Sequence, residues 1–413
     1  MNSFCYRSAL LVISAVLLLA SVVQAQDWPQ WRGPNRDGNV AGATASWPKE
    51  LREEWKVTVG TGHASPVVVD KKVYVFARQG EEETLLCLDA GTGKELWRSS
   101  QPIPFKMHEA ATAHGKGPKS TPVVSDGKVF TLGISGVLSA HDAKTGKVKW
   151  RHEFSKQYPN TYPLYGTAMS PIVEKGMVIA HVGGQDNGAL TAFDTDTGAV
   201  KWSNDMDGPA YSSPIVVTLA GVRQIVTFVQ KDFVGVEAAT GKLLWKLPQK
   251  SKYDENSVTT IAYKDTLIYS REDKGLTAIR LTSQNGQIVP QEIWTSKDNI
   301  LYFSSPVVQG DTLYGFSVMK KGQFFALNAD TGKTLWQSPG RMGESAVLLN
   351  VGGKSLVLLT NEAKLMVQPV SAKEFAPAAE YTVASSPTWA HPVIVRDRLL
   401  IKDETTLRSL KLQ

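Results

Sequence analysis

His108, Glu109 and His114 lie within one seven-residue stretch, and imidazole with carboxylate is a donor set that a transition metal accepts. Their spacing matches no strong metal signature, so they read as a solvated loop and no metal is expected. Serine, histidine and aspartate all occur. No Gly-x-Ser-x-Gly elbow presents a serine as nucleophile, however, so a hydrolase has no support from the sequence. Runs such as "GTGK" at 91–94 look like part of a phosphate loop, but they join strands instead of opening a helix, which removes the phosphate reading. Cys87 occupies a slot that other repeats fill with Ala or Gly, so it reads as a small buried residue and not as a reactive thiol. No catalytic residue is assigned and no cofactor is expected.

The residues best suited to chemistry are those that bind. Two long stretches, 99–119 and 153–169, carry Phe105, Lys106, Met107, His108, His114 and Lys116, then Tyr158, Tyr162 and Tyr165. Shorter connections add Tyr211, Tyr253, Tyr302, Phe303, Arg341 and Trp389. Aromatic, methionine and cationic side chains together are what interface hot spots are built from. Long connections in compact folds are usually functional or disordered. The expectation is an aromatic and basic funnel for a peptide or small ligand; the alternative is loops that only pack on one another.

Such loops need a scaffold, and the sequence repeats one. "LDAGTGKELW" returns as "HDAKTGKVKW", "FDTDTGAVKW", "VEAATGKLLW" and "LNADTGKTLW". Gly93, Gly146, Gly198, Gly241 and Gly332 each precede, by four residues, Trp97, Trp150, Trp202, Trp245 and Trp336. A stretched copy ends in Trp294, and Trp55 precedes them all. A period of about 40 to 50 residues means stacked supersecondary units. A second beat is Ser or Thr before Pro: Ser65, Thr121, Ser170, Ser213, Ser305 and Ser386, with Ser257 and Ser345 in the slot without Pro. That makes eight units, each a meander of four short strands.

The repeat has a local logic. The acids of the turn, Asp89, Asp142 and Asp194, accept hydrogen bonds from turn amides. The glycine supplies a positive φ. The Trp on the outer strand fills the gap between neighbouring units, and its indole N–H needs an acceptor. A small residue ten positions earlier (Cys87, Ala140, Ala192, Gly235 and Ala326) leaves room for the ring. The last unit stops after three strands, so strand 53–59 with Trp55 is expected to complete it and remove the free edge.

These residues resemble the quinoprotein-like, or PQQ-like, eight-bladed β-propeller repeat, whose hallmark is A-x-D-x-x-T-G-x-x-x-W. The opener "DWPQWRGPNRDG" is similar to that of secreted bacterial members. The resemblance implies an all-β propeller at 53–413 behind a leader at 26–52. The family includes calcium- and quinone-dependent dehydrogenases and the propeller lipoprotein of the outer-membrane β-barrel assembly machinery. The dehydrogenases carry a vicinal Cys-Cys pair that is missing here, and so is the lipoprotein's anchoring cysteine.

Residues 1–25 read as a signal peptide: Arg7, an apolar run from Ala9 to Ala20, then Val23 and Ala25 before a cut at Gln26. The apolar run is shorter than the roughly 20 residues a span needs, so no transmembrane anchor is expected in the mature chain. Losing Arg7 takes the formal charge from +6 to +5, with acids and bases interspersed, which argues against nucleic acid as a partner. One cysteine remains, so there is no internal disulfide. Trp28, Trp31 and Trp47 are expected to cover the propeller's side; the alternative is a partner-binding arm. The sequence thus points to an exported, monomeric, non-catalytic scaffold that binds an envelope or secreted protein. A quinone-dependent oxidoreductase and a carbohydrate- or small-ligand-binding module are the alternatives.

Overall fold

The computed structural model describes residues 27–41, 47–249, 251, 255–271 and 273–412. The signal-peptide expectation and Tyr253 fall outside these residues. Eight antiparallel sheets follow one another along the chain, each a four-stranded meander. The first blade is Val67–Val69, Lys72–Gln79, Glu82–Asp89 and Glu95–Pro102. In the eighth, Val393–Val395, Arg398–Lys402 and Thr406–Lys411 are completed by Arg52–Thr58, which pairs antiparallel with Thr406–Lys411. The N-terminal strand therefore closes the ring and leaves the last blade no unpaired third strand. The buried apolar side chains gather between neighbouring blades: one cluster joins blades one and two, the next joins two and three, and so on round to a seam cluster at blades seven, eight and one.

The repeat motif explains those wedges. Asp89 Oδ1 accepts from the amides of Gly91 and Thr92 and from the Thr92 hydroxyl, and Asp142 and Asp194 repeat the pattern. Each small residue lies directly across the strand pair from its own Trp: Cys87 from Trp97, Ala140 from Trp150, Ala192 from Trp202, Gly235 from Trp245 and Ala326 from Trp336. The ring then reaches over to the turn glycine of the next blade. A Cβ built on Gly241 would come within 2.3 Å of the Trp202 ring, and Gly93, Gly146, Gly198 and Gly332 meet Trp55, Trp97, Trp150 and Trp294 in the same way. Five indoles, those of Trp55, Trp150, Trp202, Trp294 and Trp336, donate to a carbonyl of that next blade. Trp245 faces a blade whose turn is a plain hairpin, so it donates instead to Gln224 Oε1 of its own blade. The Trp97 indole N–H has no protein acceptor among the described residues.

The Ser/Thr beat has a role beyond tolerating proline. Five of the hydroxyls accept from the slot amide of the preceding blade, beginning with Ser65 N–H to Thr121, Thr121 N–H to Ser170 and Ser170 N–H to Ser213. Thr259 N–H donates to Ser305, and His391 N–H donates to Ser65 across the seam. Two slots therefore differ from the sequence expectation. In blade five the slot is Thr259 and not Ser257, and in blade eight it is His391-Pro392 and not Ser386-Pro387. The inner strands there start at Ile261 and Val393, and Ser386-Pro387 lies in the connection before the strand.

The leader does not cover the side of the ring; residues 27–41 enter the channel. Inner strands are edge strands, and their channel-facing amides and carbonyls need partners. Trp28 exchanges two backbone hydrogen bonds with Val68 of blade one, and Val124 of blade two donates to Pro29 O. Arg36 donates to Ser170 O and Pro171 O of blade three, and Arg32 to Pro306 O of blade six. Asn39–Val40 adds a parallel strand to the inner edge of blade seven. Trp47 alone matches the expectation of a lateral position, 6.3 Å from Tyr381.

Candidate functional site

Connections from an outer strand to the next inner strand meet at one end of the channel, as the repeat requires. There they enclose a cavity of about 380 Å³. It is lined by three histidines (His63, His114, His391), three tyrosines (Tyr165, Tyr211, Tyr302), Trp31, Trp389 and Phe303, with Lys119 and Glu255 as the charged groups. Its floor is the leader: Trp31 donates to Thr259 Oγ1 at 3.1 Å and its ring lies 4.2 Å from that of His391. The cup is therefore closed on one side by the chain itself.

One position in the repeat recurs around the wall. His63, Lys119, Ala168, Tyr211, Ser257, Phe303 and Trp389 each stand two residues before a slot residue, and all line the cup. The Ser-Pro beat marks this position in the sequence for most blades. It escapes notice because the seven side chains share no chemistry.

Of the residues expected at the mouth, the structure brings His114, Tyr165, Tyr211 and Trp389 to the cup, with Tyr302 and Phe303. Phe105 goes elsewhere. It is 8% exposed and packs with Ile103, Ile134 and Tyr162, its ring 5.0 Å from that of Tyr162. Those two rings tie the long stretches 99–119 and 153–169 together, with half-buried Met107 against them. Tyr158 packs on the core between blades two and three. Lys106, His108, Lys116 and Arg341 are exposed and do not line the cup. His108 caps the short 3-10 helix Glu109–His114, its Nδ1 accepting from Ala110 N–H, so its lone pair is already engaged. Sequence reasoning missed Trp31, His63, Lys119, Glu255 and His391.

Burial sets the electrostatics of the cup. His63 is held well below its ordinary value, first by loss of solvation and then by the positive charges of Lys119, His114 and Lys402. His114 and His391 are lowered for the same first reason. The Lys119 ammonium is pushed down to about 8 by burial, which Glu83 partly offsets. Its Nζ donates to Tyr165 O at 3.0 Å. Aromatic rings hold one another edge and face: His63 stacks on Trp389 at 5.3 Å and 13°, while His114 meets Trp389 edge-on at 5.2 Å.

A calcium-held quinone needs six to eight oxygen ligands around the ion. Glu255 is the one carboxylate lining the cup among the described residues, and no group of three or more His, Cys, Asp or Glu able to hold a metal occurs among them. The one described cysteine is buried in blade one, opposite Trp97. This donor set does not fit that cofactor.

Comparison with known proteins places the chain among propellers of two kinds. The outer membrane protein assembly factor BamB of Yersinia pestis is 25% identical over 369 residues, covering 84% of this chain and 85% of the relative. The dehydrogenase subunit of the quinone-type alcohol dehydrogenase of Acetobacter aceti is 26% identical over 312 residues, covering 66% of this chain but 39% of that protein. Among solved structures, BamB from Moraxella catarrhalis superposes with a TM-score of 0.62 at 14% identity, over 88% of this chain and 98% of that one. Quinohemoprotein alcohol dehydrogenase from Comamonas testosteroni gives 0.67 at 15% identity, over 94% and 80%. These two superpositions share the fold. The sequence profile of the PQQ_2 family matches residues 81–338, five complete blades and the last two strands of blade one. On that match, the chain belongs to the family described as outer membrane protein assembly factor BamB.

Proposed function

We propose that this protein is an exported, non-catalytic interaction scaffold of the cell envelope, and that its partner protein docks on the mouth face of the ring. The observation that carries this reading is the aromatic cup with exposed lip residues. Phe303 is 42% exposed, and the two long stretches rise beside it. A rigid ring positioning such loops is how propellers present binding surfaces, and aromatic anchors at a pocket lip are typical hot spots. The relatives described as outer-membrane assembly factors support the envelope setting. No helix among the described residues is long and apolar enough to cross a membrane. The second reading, a quinone-dependent oxidoreductase, is favoured by the dehydrogenase relatives and opposed by the donor set of the cup.

A photoreactive amino acid at Phe303 or Lys106 tests the mouth, with one at Leu243 on the opposite rim as control. In intact envelopes the mouth positions are expected to give a discrete hetero-crosslink and Leu243 none. Crosslinks from Leu243 alone, or none from any position, would move the functional face elsewhere. Stoichiometric binding of PQQ with calcium, together with dye-linked alcohol oxidation, would establish the second reading instead.

A further inference from the structure

Lys119 places a partly buried cation in a largely aromatic cup. An ammonium has three donors, and Tyr165 O takes one of Lys119's. Holding a charge there is costly unless an anion answers it. At the floor, His391 is 4% exposed and its Nδ1 has no partner among the described residues. Trp389 and Phe303 offer ring surface at 6.2 Å from one another in an edge arrangement.

We propose that the cup binds a small aromatic monocarboxylate, with its ring among the aromatic walls and its carboxylate on Lys119 Nζ. Charge-assisted hydrogen bonds are the strong ones, and they strengthen further where water is excluded. Aromatic rings add offset and edge contacts beyond their buried area. Lys119 is the one lysine or arginine lining the cup among the described residues, so it answers one carboxylate and not several. A cavity of about 380 Å³ suits an acid with one or two fused rings. The inference goes beyond the scaffold reading and does not depend on it: the cup fills whether or not a protein docks at its lip.

Isothermal titration with indole-3-acetate as probe tests it. Saturable 1:1 binding is expected, with indole-3-acetamide at least about tenfold weaker because the charge is lost. Benzene-1,3,5-tricarboxylate is expected to bind more weakly than the acetate. In Lys119→Met the preference for acid over amide should disappear. Should that variant fail to fold, the acid-to-amide ratio of the unaltered protein still decides. No saturation with the acetate, equal affinity for acid and amide, or preference for the tricarboxylate would each overturn the proposal. Crosslinking from Phe303 does not depend on any of these results, so the two readings fail separately.

Discussion

Glu83 is fully buried in blade one; one carboxylate oxygen accepts from Ile134 N–H at 2.8 Å and the other has no partner among the described residues. Burial pushes its carboxyl up to about 7, against the Ile134 hydrogen bond and the charges of Arg78 and Lys119. The folded state thus holds a proton that the unfolded chain releases near 4.5, and stability falls as pH rises through that window. His141 and His181 act in the opposite sense. Buried neutral and lowered to about 4, they cost stability as pH falls from 6.5. Glu83→Gln removes the first trend and leaves the second. The urea midpoint of the variant should exceed that of the parent at about pH 8 and match it at about pH 4.5. An equal shift at both values would place the effect in packing and not in the buried charge.

At the scale of the element, the Trp-on-glycine contact can be separated from the turn that presents it. Gly176 and Gly241 have nearly the same backbone, φ +75° and +72°. A Cβ at Gly176 meets nothing within 4 Å, whereas one at Gly241 strikes the Trp202 ring. Gly176→Ala should therefore cost about 1 kcal/mol, the strain of a left-handed alanine. Gly241→Ala should cost about 3 kcal/mol, adding overpacking between blades three and four. Equal costs in urea unfolding would show that the docking contact carries no energy. These elements were legible because the turn and its strand pair answer to chemistry within about ten residues: the Asp to its own turn, the Cys87 or Ala192 slot to its own Trp. The stretched copy broke that rule. Trp294 lies opposite Ala278, not a residue ten positions back, because its hairpin is longer. The cup was only half legible. His63, Lys119 and Trp389 lie far apart in sequence and share no residue type, and only ring closure makes them neighbours. The misplaced slot in blade eight has the same origin, since a Ser-Pro pair signals a strand start only when a strand follows it directly.

For the whole molecule, the leader ties the blades together at the axis. Arg32 and Arg36 are both buried, and their guanidiniums meet backbone carbonyls of blades three and six. Burial lowers them to about 10 and about 9 respectively, with Arg32 adding to the effect on Arg36. Arg36→Met keeps the apolar stem but leaves the Ser170 and Pro171 carbonyls unmet. It should cost about 2 kcal/mol in urea unfolding, the penalty of leaving buried acceptors unpaired. A stability gain would show instead that the cost of burying the charge outweighs its hydrogen bonds. Leader and cup are also one system, because Trp31 closes the cup from below. Unseating the leader should therefore alter the site at the mouth as well as the stability of the ring.

That arrangement also sets a timetable. Asn39 contacts Asn350, 311 positions later, and Glu54 contacts Ser409, 355 positions later. As the chain emerges N-terminus first, the axial segment and the closing strand come out early and wait for partners that come out last. Contacts so distant in sequence form slowly, and until they form, the inner edges and the seam lie open to proteases and to other chains. A protein cut short within blade eight would therefore leave strand Arg52–Thr58 without its partner, so a nascent molecule signals its completeness at a single seam.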